Sequence, residues 1–102
     1  MNGEPQVGGS SPWGKIQVQY RLASGIVSVS TASHGGIWID ADHERRVPIG
    51  LRSIARQYAP AQWYEEDCDA AIIGVTFAEE LTAEPKFVAA AREYFAKDDR
   101  FS

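Results

Sequence analysis

The chain has 102 residues, a net charge of −4 and one cysteine. This length corresponds to a single domain, and the negative charge argues against nonspecific nucleic-acid binding, which needs a basic surface. One cysteine excludes an internal disulfide and a cysteine-rich zinc site, and no apolar run approaches the roughly 20 residues of a membrane helix. We therefore expect a cytoplasmic protein that has no cofactor and no contact with membranes.

The N-terminal half begins with a segment of low complexity and continues with an alternating pattern. Residues 1–12 are rich in Gly, Ser and Pro, so we expect a flexible leader, followed by one domain over residues 13–102. Apolar and polar residues alternate in Gly14–Tyr20 and in the β-branched stretch Ile26–Thr31. This alternation predicts two strands, which the intervening glycine turn joins as a hairpin.

A short strand and an amphipathic helix are expected next. Ile37–Ile39 predicts a third strand, and the polar stretch Asp40–Glu44 predicts a turn. Apolar residues then recur at helical spacing from Val47 to Tyr58, with Pro48 in the first turn and Pro60 as the stop. This helix would cover one face of the sheet, because such a small sheet is not stable alone.

The C-terminal half contains one ambiguous segment and one clear helix. Ala70–Leu81 alternates as a strand would, yet acids at its entrance suit a helix N-terminus, and Gly74 weakens the helical interpretation. Pro85–Lys97 has the pattern of an amphipathic helix. The sequence therefore predicts an α+β fold: a three-stranded antiparallel sheet from the N-terminal half, packed by about three helices from the C-terminal half. Ile72 and Ile73 should lie inside.

His34, Gly35 and Gly36 form the first candidate site. Glycine N–H groups can point freely at an anion, so this loop could hold a substrate oxyanion. The alternative is a tight connection between strands. No convincing nucleophile lies beside the motif in the sequence.

The second candidate site is the acidic run around Cys68. Its carboxylates could bind a hard cation or act as a general acid and base, although no established metal-binding spacing is present. Cys68 could be a nucleophile, but acidic neighbours raise the pKa of a thiol, so a small buried hydrophobe is the alternative. Solvated acids at a helix N-terminus are the alternative for the whole run. The catalytic candidates are thus His34, Glu65, Glu66, Asp67 and Cys68, and we predict no metal site.

Four large aromatic residues complete the candidates: Trp13, Trp38, Trp63 and Tyr64. Exposed aromatics are good interface anchors, and the alternative is that these residues pack over the sheet. The candidate binding residues are His34, Gly35, Gly36, Trp38, Trp63, Tyr64, Glu65, Glu66, Asp67 and Asp69.

Three stretches together resemble a known family. Ser11–Gly14 (SPWG), Gly25–Gly36 (GIVSVSTASHGG) and Trp63–Asp69 (WYEEDCD) are similar to the DUF7007 domain of proteobacterial, phage and plasmid proteins, and the likeness spans Ser11–Leu81. Family members typically continue with tryptophan where this chain has Ala70, and then with a helical apolar stretch. The resemblance therefore favours a helix over residues 70–81. It also implies a setting of mobile elements, antirestriction functions and host defence, where small acidic proteins often block a defence complex such as a CRISPR effector.

Three functions follow as hypotheses. The first is a non-enzymatic binding protein of a mobile genetic element that inhibits a defence complex of the bacterial host by protein–protein contact. The second is a small hydrolase or metal-dependent enzyme that uses His34 and the acids of Glu65–Asp69. The third is a structural accessory domain without its own activity. The oligomeric state stays open.

Overall fold

The structure is a computed structural model that describes residues 3–101. It has an α+β fold, as the sequence predicts. The strands are β1 (Ser10–Ser11), β2 (Gly14–Lys15), β3 (Val18–Ala23), β4 (Ile26–Ser30), β5 (Gly35–Ile39) and β6 (Trp63–Glu65). The helices are α1 (Ala41–Arg46), α2 (Ile49–Ala55), α3 (Ala70–Thr76) and α4 (Pro85–Lys97), followed by a 3-10 turn at Asp99–Phe101. No helix within residues 3–101 is long and apolar enough to cross a membrane.

The main sheet has four strands rather than the predicted three. All neighbours are antiparallel, in the order β3-β4-β5-β6, and β1 and β2 form a separate two-stranded sheet. The additional strand, β6, comes from the C-terminal half and pairs with β5 so that Tyr64 lies opposite Ile37. Three residues are too short to show a period, so only this pairing identifies Trp63–Glu65 as a strand. The pairing places the acidic run directly beside β5.

The predicted first strand, Gly14–Tyr20, is interrupted. It forms β2 and the start of β3, while Ile16 between them is buried. Val18 and Tyr20, which the alternation places on the same face as Ile16, are 58% and 55% exposed. The interruption between β2 and β3 therefore allows Ile16 to be buried against the sheet while Val18 and Tyr20 face water.

The N-terminal segment makes defined contacts where we expected a leader. Residues 1 and 2 lie outside the described residues. Glu4 forms an ion pair with Arg21 at 2.7 Å, Pro5 is buried, and the strand β1 begins at Ser10. This segment therefore covers part of the sheet rather than only preceding it.

Both faces of the main sheet are covered. On one face Ile26, Ile37 and Ile39 pack with Tyr64 and with residues of the helices. On the other face Val27, Val29 and Trp38 pack with Ile16, while Trp13 and Trp63 close the edge of this smaller cluster. Because successive strand side chains point to opposite faces, the apolar run of β4 supplies both cores. From the sequence we expected a cover for only one face.

Two helices replace the predicted turn and single helix after β5. Asp40–Glu44 does not form a turn: Asp40 caps α1 by accepting a hydrogen bond from the His43 backbone N–H at 2.9 Å. The second helix begins only at Ile49, after Pro48, and ends at Ala55. Tyr58, predicted on its inner face, lies beyond the helix and is exposed.

The ambiguous segment is a helix at its core. It forms α3 over Ala70–Thr76, and Ile72 and Ile73 are fully buried in the main core, as predicted. Gly74, which argued against a helix, faces α4. A Cβ at Gly74 would overlap the Ala91 Cβ and lie 3.3 Å from Phe87 Cε2. The glycine thus permits the close approach of α3 and α4, and this tertiary contact outweighs its poor helix propensity.

We expect Gly74→Ala to destabilise the protein by about 2 kcal/mol, because overpacking against α4 outweighs the gain in helix propensity. Gly50→Ala is the matched control, since Gly50 is also helical and a Cβ there meets nothing within 4 Å. That control should be neutral or stabilise by up to about 1 kcal/mol. Urea unfolding of both variants checks the prediction, and equal effects would contradict it.

Candidate functional site

The structure brings His34 and the acidic run together, although 31 positions separate His34 from Glu65. The His34 Nε2 atom contacts the Glu65 carboxylate, and its Nδ1 atom lies 3.9 Å from Glu66 Oε2 and 4.0 Å from Asp67 Oδ2. The imidazole therefore lies among three carboxylates. We define the acidic turn as residues 65–69, which begin with the last residue of β6 and end directly before α3.

The backbone before β5 fixes the position of His34. Thr31 Oγ1 donates a hydrogen bond to the His34 carbonyl at 2.7 Å and accepts one from the His34 N–H at 3.1 Å. The Thr31 N–H also donates to the His34 carbonyl, at 2.7 Å. This is a tight strand connection, the alternative to an oxyanion loop. It orients the imidazole toward β6.

Gly35 and Gly36 lie buried in β5, where they allow close packing. A Cβ at Gly35 would meet the Val29 carbonyl oxygen at 2.6 Å and Glu66 Oε1 at 2.9 Å. A Cβ at Gly36 would overlap the ring of Trp13. The backbone N–H of Glu66 also donates to the Gly35 carbonyl at 3.1 Å. The two glycines therefore bring the acidic turn and Trp13 against the strand, and they do not form an open anion-binding loop.

Glu65 is the buried centre of the acidic turn. Its Oε1 atom accepts hydrogen bonds from the backbone N–H and the thiol of Cys68, at 3.2 and 3.0 Å. Burial opposes the charged form of Glu65, but the hydrogen bonds from Cys68, the Asp67 backbone and His34 outweigh it and lower its pKa. Glu65 is thus held as a carboxylate that ties the turn to β5.

Cys68 remains a thiol at neutral pH. Burial, the hydrogen bond to Glu65 and the negative charges of Asp69 and Glu65 together raise the pKa of the Cys68 thiol to about 12. Since the thiolate is the nucleophilic form, this environment disfavours catalysis by Cys68. The side chain instead donates a hydrogen bond within the turn.

Asp69 points away from His34. Its side chain is fully buried, and its Oδ1 atom lies 3.0 Å from Arg100 Nη2. The orientation is poor, because neither Asp69 oxygen makes a hydrogen bond of good geometry with any described residue. Burial raises the pKa of Asp69, and the positive charge of Arg100 opposes that rise. Asp69 therefore joins the acidic turn to the C-terminal 3-10 turn and is not available to a partner.

The four aromatic candidates pack over the sheet. Tyr64 is fully buried and donates a hydrogen bond to Glu44 Oε1 at 2.7 Å, and Trp38 is also buried. Trp13 and Trp63 are half-buried and meet edge to face with ring centroids 5.6 Å apart, and Trp13 meets His34 in the same way at 5.9 Å. This burial removes most of the support that surplus aromatics gave to an interface, and it gives weight to the accessory-domain alternative.

Three side chains of the cluster have the arrangement of possible metal ligands. Within residues 3–101, one ligand atom from each of His34, Glu65 and Asp67 lies within 4.8 Å of the other two. An imidazole nitrogen and carboxylate oxygens suit zinc, manganese and iron in their divalent states. Such an ion would have to replace the contact between His34 and Glu65, which already satisfies both groups.

A second histidine cluster lies elsewhere in the fold and was missed. His43 is buried, with Nδ1 at 2.7 Å from Asp40 Oδ1 and Nε2 at 2.6 Å from Glu80 Oε1. Arg46 also contacts Glu80, and the Phe77 ring lies edge-on to the imidazole with centroids 4.9 Å apart. The sequence does contain a sign of this cluster: Asp40 stands three positions before His43, which is the spacing of an N-cap. Predicting a turn over Asp40–Glu44 led us to overlook it. The cluster fastens α1 to the segment after α3.

Protonation of His43 should contribute to stability. Burial opposes the charge, but the hydrogen bonds that the imidazole donates to Glu80 and Asp40, together with the negative charges of these two groups, outweigh it and raise the pKa of His43 above its ordinary 6.5. A raised folded-state pKa gives stability that is present below about pH 6.5 and is lost as pH rises through the folded value. We expect His43→Gln to be destabilised by about 1.5 kcal/mol at pH 6. The difference from the parent should shrink by pH 9 in thermal unfolding, and a pH-independent difference would contradict this assignment.

Comparison with known proteins now places the chain. Residues 6–99 match the family described as "Domain of unknown function (DUF7007)". The chain belongs to the DUF7007 family. No curated protein and no solved structure matches it. The match extends beyond the resemblance over Ser11–Leu81 and includes α4, so the DUF7007 domain comprises both the sheet and its helical cover.

Proposed function

We propose that this DUF7007 domain is a non-enzymatic binding protein whose contact surface is the exposed part of the acidic turn. One observation carries the proposal. Glu66 and Asp67 have side chains that are 47% and 75% exposed, and no lysine or arginine within residues 3–101 lies within 4 Å of either carboxylate. Other acidic groups of the domain, such as Asp42 and Glu93, have a basic partner on the surface. The His34 imidazole is the only basic side chain near these two carboxylates among the described residues, at 3.9 and 4.0 Å, and exposed negative charge that is not paired with lysine or arginine can steer an oppositely charged partner.

The chemistry of the cluster favours binding over catalysis. Cys68 stays protonated, Asp69 is paired with Arg100, and Glu65 is engaged by His34 and Cys68. The exposed groups therefore offer negative charge but no activated nucleophile. We propose a basic surface of a bacterial defence complex as the partner, and the resemblance of the chain to proteins of phages and plasmids supports that choice.

The test is co-purification with candidate host defence complexes, using the parent and Glu66→Gln/Asp67→Asn. The matched control is Glu79→Gln/Glu93→Gln, which removes the same charge from exposed positions elsewhere. We expect the first variant to weaken binding about tenfold and the control to leave it unchanged. The parent complex should also weaken steeply with added salt. Equal loss in both variants, or no partner at micromolar concentration, would count against the proposal.

A second candidate is a metal-dependent enzyme, and the grouping of His34, Glu65 and Asp67 favours it. Calorimetric titration with Zn²⁺, Mn²⁺ and Mg²⁺ tests this candidate, with His34→Ala as the variant that removes one ligand. Stoichiometric binding that is lost in His34→Ala would support the enzyme. Heat effects that persist in the variant would exclude this site.

A further inference from the structure

A cavity of about 240 Å³ opens between α3 and α4, directly beside the acidic turn. Small alanine side chains of both helices leave space next to the Phe87 ring, and these side chains make the wall of the cavity largely apolar. Glu66 and Asp67 lie at one side, together with Cys68, and Tyr94 lies at the other. The wall is formed by Ala70, Ala71, Phe87, Ala90 and Ala91.

The combination of an apolar wall and an acidic side selects a particular kind of ligand. A long aliphatic stem would cover the alanine wall, while a cationic head group would reach the carboxylates of Glu66 and Asp67. Among protein side chains only lysine and arginine have this form. Arginine fits better, because its planar guanidinium can bind carboxylates with two hydrogen bonds and can stack on aromatic rings such as those of Phe87 and Tyr94.

The domain supplies no such group itself. Arg100, on the 3-10 turn, is directed to Asp69 and Asp98, and within residues 3–101 no arginine or lysine lines the cavity. Within residues 3–101, the carboxylates of Glu66 and Asp67 have His34 at 3.9 and 4.0 Å but no lysine or arginine within 4 Å. Charge complementarity therefore points to an occupant from another molecule.

We infer that the cavity between α3 and α4 receives an arginine side chain of a partner protein, with its guanidinium on Glu66 and Asp67. The inference rests on the proposed function and specifies how the acidic surface would recognise its partner. The partner is thus a protein that presents a protruding arginine, and a flat basic surface would not suffice.

The experiment is an NMR titration of the ¹⁵N-labelled protein with N-acetyl-arginine N-methylamide. The matched probe is the citrulline analogue, which has the same shape and no charge. We expect shift changes confined to residues 66–71 and 87–94, with millimolar affinity and at least about threefold weaker binding of the citrulline probe. Equal binding of both probes, or shift changes elsewhere, would overturn the inference.

Two variants separate this inference from the proposed function. Ala90 lines the cavity and is exposed, so Ala90→Trp should fill the opening without disturbing the core. Ala96→Trp places the same ring at an exposed position of α4 that does not line the cavity. We expect only Ala90→Trp to abolish binding of the arginine probe and of the co-purified partner. If Ala90→Trp loses the probe but keeps a salt-sensitive partner, the partner does not insert an arginine into the cavity and the inference is wrong, while the acidic surface remains as the contact. If the parent itself retains no partner, the proposed function fails.

Discussion

Replacing Arg100 by glutamine is expected to lower the free energy of unfolding by about 3 kcal/mol at pH 7, because the change leaves the Asp69 carboxylate buried without a counter-charge. Asp69 is fully buried, and Arg100 Nη2 is 3.0 Å from its Oδ1 atom. This loss of stability is near the lower end of the values for broken buried ion pairs, since the Arg100 side chain is itself 27% exposed. Urea unfolding of the parent and of Arg100→Gln measures the difference.

The pH dependence distinguishes this cause from a loss of packing. Burial already raises the pKa of Asp69 above its ordinary 3.8, and removing Arg100 raises it further. A carboxyl group with a raised folded-state pKa binds its proton more tightly when folded, so stability falls as pH rises through that range. The penalty of Arg100→Gln should therefore be large at pH 7 and small near pH 4. A penalty that does not change with pH would show that Arg100 acts through packing against Tyr58 and Phe101.

A double-mutant cycle supplies the control. Asp69→Asn removes the buried charge, so Arg100→Gln should cost much less in that background than in the parent. Additive effects of the two substitutions would contradict the ion pair as the source of stability. The same cycle tests whether Asp69 is structural, which would separate it from the exposed acids of the turn.

The sequence predicted elements whose pattern is local. The strand β4 and the helix α4 have regular apolar periods, and the burial of Ile72 and Ile73 followed from the apolar character of the segment Ala70–Leu81. The meeting of His34 with the acidic run was only a possibility at that level. It depends on the pairing of β5 with β6, and no local pattern specifies which strands become neighbours.

The errors share a cause in tertiary contacts. The strand β6 has three residues and exists because it pairs with β5. Helix α1 was predicted as a turn because its sequence is polar. Its polar side chains His43 and Arg46 bind Glu80, which lies 37 positions after His43. Tyr64 was considered as an interface anchor because a buried tyrosine and an exposed one look alike in sequence; its hydroxyl reaches Glu44, and its ring lies under the Arg56 guanidinium at 4.8 Å. The amino-acid composition of these segments does not show which residues they contact, so it could not predict the strand, the helix or the burial of Tyr64.

Gly36→Ala is the second large effect that we expect, with a loss of about 3 kcal/mol in the free energy of unfolding. The added Cβ would overlap the Trp13 ring and lie 2.5 Å from the Tyr64 carbonyl oxygen across the sheet. The backbone of β5 cannot move away from β6 without breaking the hydrogen bonds between the two strands. The added methyl group must therefore separate the strands or displace the Trp13 ring. Chemical unfolding measures the loss, and Trp13 fluorescence should shift to the red if the ring becomes exposed.

The background variant Trp13→Ala shows which contact dominates. If the Trp13 ring is the main obstacle, Gly36→Ala should cost about 1 kcal/mol in that background, since only the Tyr64 carbonyl then opposes the methyl group. If the cost is unchanged, the strand pairing is the main obstacle. Because β6 carries Glu65, a displaced β5 should also separate His34 from the acidic turn, and the His34 imidazole resonances in NMR should move in Gly36→Ala. Unchanged stability together with unchanged imidazole resonances would contradict the role of Gly36 in holding the site together.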